Sequence, residues 1–110
     1  MTAHDIAERA RLLSHARYAN IIDSNQSIIT QASNLLEGSA EHALTSGQLV
    51  WRSLFKSNWN NIRREMLRDD PQGRLLRSNS PFSLILGETD PELRRKEWRQ
   101  AKYELSNQRT

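Results

Sequence analysis

Aliphatic doublets recur every seven positions in the first third of the chain: Ile21-Ile22, Ile28-Ile29 and Leu35-Leu36. Two adjacent apolar residues per heptad make a stripe wider than a two-stranded coiled-coil seam and suit packing against more than one neighbour. Tyr18, Ile21, Asn25, Ile28, Ala32 and Leu35 fall on one face of that helix, with the polar Asn25 interrupting it. A polar residue on an apolar stripe weakens packing and fixes register or partner number. The pattern predicts helix over residues 3–37, opened by the capping box Thr2-x-x-Asp5 and stopped at Gly38. The register shifts by two positions near Tyr18, because the preceding doublet is Leu12-Leu13 rather than Ser14-His15. A bend, or two helices in place of one, follows.

A second capping box, Thr45-x-x-Gln48, opens a helix expected over 47–68, with Trp51, Leu54, Phe55, Trp59, Ile62 and Met66 at i, i+3, i+4 spacing. Its aromatic face is read as core, packed on the first helix as an antiparallel hairpin. Pro71, Gly73, Asn79, Pro81 and Gly87 break up residues 69–90, which are read as a looped arm. Phe82, Leu84 and Leu86 alternate there, as in an extended segment docked on a helical surface or a partner. Asp90-Pro91-Glu92 starts a charged third helix over 91–106, bearing Leu93, Trp98, Ala101 and Leu105 on a sparse apolar face. The expectation is one all-α domain spanning 1–110.

Composition sharpens this picture. The chain has 110 residues, 36% of them hydrophobic, and a mean hydropathy of -0.77. A small helical chain with so thin an apolar complement often completes its core with another chain. Its longest apolar runs are three residues, so no segment is expected to span a membrane. Without cysteine there is no disulfide and no thiolate site, and no signal peptide is visible; both point to an intracellular, cytoplasmic setting.

Charge is unevenly divided. Residues 1–50 hold three Arg against five acids, whereas residues 51–110 hold thirteen Lys and Arg against eight acids. On a continuous 47–68 helix, Arg52, Lys56 and Arg63 project within about 40° of one another, with Arg64 and Arg68 as a second i, i+4 pair. These five are the candidate contacts to nucleic-acid phosphates. The third helix interleaves Glu92, Glu97 and Glu104 with its basic residues, the pattern of a solvated surface.

Catalytic chemistry finds no foothold. His4 and His15 lie about 16 Å apart along a helix, too far to share an ion, and no histidine has a ligand-spaced partner. Asp69-Asp70 is the only adjacent acidic pair and sits at a helix end. No nucleophile elbow or glycine-rich phosphate loop occurs. Ala43-x-x-x-Gly47 matches helix-turn-helix spacing, but the apolar face that follows is one residue out of phase. No enzyme activity, cofactor, metal or small-molecule substrate is expected. The sequence reads as a helical protein–protein interaction module, an adaptor or small subunit that meets a partner or a second copy. Its candidate interface is Tyr18, Ile21, Asn25, Ile28, Leu35, Phe82, Leu84 and Leu86. The alternative is a small basic nucleic-acid-binding regulator.

Overall fold

In a computed structural model describing residues 2–107, the chain is all-α, with seven helices and no strand among those residues. They are α1 (Ala3–Ser24), α2 (Ser27–Glu37), α3 (Ser46–Leu54), α4 (Trp59–Met66), α5 (Pro71–Ser78), α6 (Phe82–Leu86) and α7 (Pro91–Asn107), with a 3-10 turn at Glu41–Ala43. Both capping boxes form: the Thr2 and Thr45 hydroxyls accept from the amides of Asp5 and Gln48, each at 3.1 Å. Asp70 caps α5 by accepting from the Gly73 amide at 2.9 Å. That bond and the Arg68 guanidinium hold its carboxyl below the usual carboxylate range.

The expected long helices are each broken once. The first breaks at Asn25-Gln26, not near Tyr18. Asn25 leaves the helical region at φ -149°, ψ 82° and accepts a hydrogen bond from the Ser27 hydroxyl at 2.6 Å. Asn25 is therefore a terminus and not a polar position on a continuous stripe. The second breaks at 55–58, where Asn58 caps α4 by accepting from the Asn61 amide at 2.9 Å. Asn and Ser side chains compete for backbone partners, which is why Ser57-Asn58 restarts a helix that the apolar spacing alone would carry through.

The looped arm is corrected to two short helices, α5 and α6. Its residue Phe82 is fully buried and stands nearly perpendicular to Trp51, Phe55 and Trp59, at ring-centroid distances of 5.4, 5.8 and 6.4 Å. Around this aromatic hub gather Tyr18, Ile22, Ile28, Leu36, Ile62, Met66 and Leu76. Trp51 donates its indole N–H to the Leu76 carbonyl at 2.6 Å, satisfying a polar group in the middle of the core.

The helix pairing also differs from a simple hairpin. The principal neighbour of α1 is α7, and α2 lies against α3 and α6. Arg9 faces Glu104 while Ser14 and Arg17 face Glu97, so α1 and α7 run antiparallel. Ala101, with no exposed surface, lies on the inner side of α7. The carbonyls at the end of α4 are collected by Arg77, whose Nη1 donates to Met66 O at 2.9 Å and Arg68 O at 2.6 Å. A guanidinium inserted there takes up acceptors that a helix end leaves unpaired.

Candidate functional site

The folding of α6 back onto α2 leaves, together with the end of α5, a groove of about 460 Å³. Leu35, Leu36 and Leu44 form its apolar wall, Ser78 to Pro81 with Ser83 and Leu84 its opposite rim, and Arg11 and Arg77 supply its only charged side chains among the described residues. At its mouth Leu84 is 79% exposed and Leu35 46% exposed. Large aliphatic side chains so open to water, beside a concave surface, mark a place where a partner can gain apolar burial. Leu84 is exposed because α6 is only five residues long and turns Phe82 inward, which points Leu84 out.

Two cations on the groove differ in their circumstances. Arg11 is half exposed and paired with Glu8 at 2.7 Å. Arg77 is 3% exposed and engaged at Nη1, while its Nε has no hydrogen-bond partner among the described residues. Burial lowers its pKa, opposed by the nearby charges of Glu8 and Asp69. A guanidinium stays protonated in proteins, so both cations are permanent features of the wall.

Beneath the groove His15 is 1% exposed. Its Nδ1–H donates to the Arg11 carbonyl at 2.7 Å, which leaves Nε2 without a partner among the described residues. Burial pushes its pKa down to about 4, with Arg77 and Arg11 adding to the effect and the Arg11 carbonyl opposing it. His15 is therefore neutral at physiological pH and serves as a packed core side chain, edge-on to Tyr18 at 4.8 Å. No group of acids and histidines able to hold a metal ion occurs among the described residues.

Of the expected interface residues, the structure brings Leu35 and Leu84 together on this groove. Tyr18, Ile28 and Phe82 are instead buried in the chain's own core, and Leu86 is half-buried against it. These four are corrected from partner contacts to packing residues: the apolar stripe is consumed by α3 to α6 of the same chain. Ile21 is exposed but does not line the groove, and Asn25 is exposed at the α1–α2 break.

The five candidate phosphate contacts are divided by the break at 55–58 and do not form one helical stripe. Arg52 pairs with Glu37 at 3.5 Å, Arg63 with Asp23 at 3.7 Å, and Arg68 with Glu65 and Asp70 at 2.8 and 2.6 Å. Arg64 contacts Asn61 and lies 3.9 Å from Glu65. Of these five, Lys56 alone has no acid within ion-pair distance among the described residues. Sequence reasoning missed Arg11, Arg77 and Leu44 on the groove, because they reach it from three different elements. No helix of the described residues is long and apolar enough to cross a membrane.

The fold and groove define a small all-α protein with a partly apolar, cation-walled cleft. No protein-family model matches the chain, and no curated protein or solved structure matches it significantly.

Proposed function

We propose that this chain is a non-catalytic helical interaction module, an adaptor or small subunit, whose groove receives an apolar side chain flanked by carboxylates from a different protein. The observation that carries this reading is the joint position of Leu35 and Leu84. Both are exposed, both lie on one groove, and the only charged side chains of that groove among the described residues are arginines. The apolar pair favours an aliphatic or aromatic anchor. Arg11 and Arg77 favour an acidic neighbour and disfavour a second copy of the same cationic groove. A guanidinium can donate two N–H groups to one carboxylate in bidentate geometry, which adds orientation to the contact.

Methyl-labelled protein tests this with two synthetic amphipathic peptides of identical leucine spacing, one flanked by Glu and one by Lys. The Glu peptide is expected to shift the methyls of Leu35, Leu44 and Leu84 saturably, and Leu84→Asp to abolish the shifts. Equal response to the Lys peptide, shifts elsewhere, or no response would overturn the proposal. So would a dimer in sedimentation that Leu84→Asp dissociates, because the groove would then belong to a second copy.

A further inference from the structure

The tertiary structure sorts the charges of α7 in a way its sequence conceals. Glu97 turns toward α1, accepting from the Ser14 hydroxyl at 2.9 Å and Arg17 Nε at 3.1 Å. Glu104 does the same, 3.9 Å from Arg9. With those acids drawn inward, Arg94, Arg95, Lys96, Arg99 and Lys102 are left on the exposed side. Glu92 remains among them, paired with Arg95. No acid lies within ion-pair distance of Arg94, Lys96, Arg99 or Lys102 among the described residues.

Trp98 sits inside this cationic surface and is 40% exposed. With Pro91, Arg94 and Arg95 it lines a shallow depression of about 360 Å³. On a helix at ~100° per residue, Arg94, Trp98, Lys102, Arg95 and Arg99 fall, in that order, within a sector of roughly 140°. An indole between two guanidinium groups, next to two further cations, matches the chemistry of a stacked base with its flanking phosphates.

We infer that the outward face of α7 binds single-stranded nucleic acid, with a base stacked on Trp98 and phosphates held by Arg94, Arg95, Arg99 and Lys102. A duplex fits less well because its bases are stacked internally and have no face to offer the indole. An anionic membrane also fits less well. Interfacial helices insert a continuous apolar strip, whereas the exposed Leu93, Trp98 and Tyr103 point roughly 80–140° apart around α7. The inner face of the helix is already occupied by α1. This surface lies on α7 and is independent of the groove between α2, α5 and α6.

The test is fluorescence anisotropy of the full chain with labelled twelve-nucleotide oligouridylate and oligothymidylate. A self-complementary duplex and phosphatidylserine-containing vesicles run in parallel. Saturable binding to the single strands is expected at 50 mM salt. Three or four phosphate contacts to a single strand predict about a 20–50-fold loss of affinity between 50 and 200 mM salt. The double variant Arg95→Glu, Arg99→Glu should lose at least tenfold. Trp98→Ala should lose about 5–100-fold, while Trp98→Phe retains most of the affinity because it keeps a stacking face. Thermal midpoints of the variants near that of the parent establish that the fold is intact. Four results would overturn the inference: no single-strand binding at about 100 μM protein, affinity unchanged in the arginine double variant, tighter binding to the duplex, or binding to vesicles only.

Discussion

The ring of Phe82 meets the indole of Trp51 edge to face, with planes at 90° and centroids 5.4 Å apart. This contact ties α6, a five-residue helix too short to be stable alone, to the centre of the molecule. It makes the segment after Pro81 part of the core.

Phe82→Ala and Trp51→Ala should therefore each cost about 3–5 kcal/mol, the range for deleting a buried aromatic. Trp59→Ala should cost less, about 1–2 kcal/mol. The Trp59 ring is half-buried, and its indole N–H reaches the exposed Asp23 carboxylate at 2.7 Å. Chemical denaturation of the three variants checks the order. A Phe82→Ala protein as stable as the parent would remove α6 from the core.

Gly73 and Gly47 both sit where another segment passes closely, but the obstacles differ. A Cβ at Gly73 would lie 1.9 Å from the Arg68 carbonyl oxygen, part of the backbone. At Gly47 it would meet the Asn79 side chain at 2.2 Å. Backbone gives less readily than a side chain, so Gly73→Ala should cost about 3 kcal/mol or more. Gly47→Ala should cost roughly 1–2 kcal/mol, mainly by displacing Asn79 from its bonds to Thr45 and Leu75. Thermal unfolding of both variants provides the comparison.

His15 gives the fold an acid sensitivity. Its pKa is pushed from its usual value of 6.5 down to about 4 by burial. Between those values the unfolded chain binds a proton that the folded chain refuses, so stability falls as pH falls through that window. The full effect at this one residue is about 3 kcal/mol. Above pH 6.5 it vanishes, because His15 is neutral in both states. The unfolding free energy measured between pH 6.5 and 5 should decline in the parent, and His15→Phe should flatten that decline whatever its effect on absolute stability.

Asn25→Leu offers a sharp contrast between the linear pattern and the folded chain. A polar residue on a continuous stripe would, on removal, raise stability and broaden the set of assemblies. Asn25 is exposed at the end of α1, so the substitution should change stability by less than about 0.5 kcal/mol and leave the sedimentation coefficient unchanged.

The helical class, both capping boxes and the start of α7 were legible in the chain, because each is a local matter of apolar period and side-chain-to-backbone hydrogen bonds within four residues. The burial of Trp51, Ile62 and Met66 followed from the same spacing. The breaks at Asn25 and at Ser57-Asn58 were not legible, because an apolar period carries no information about where a polar side chain will outcompete the helix for a backbone group. The fate of Phe82 was decided only in three dimensions. Alternating residues between prolines and glycines suit an extended arm or a short helix equally well, and the aromatic hub selected the helix. The groove depended on bringing Leu35, Leu44, Leu84, Arg11 and Arg77 together from separate elements. The sorting of α7 likewise depended on Arg9 and Arg17, 95 and 80 residues distant in the chain, drawing Glu104 and Glu97 inward. Sequence spacing sets which residues share a face of one helix; only the packing of helices against one another decides which face meets water.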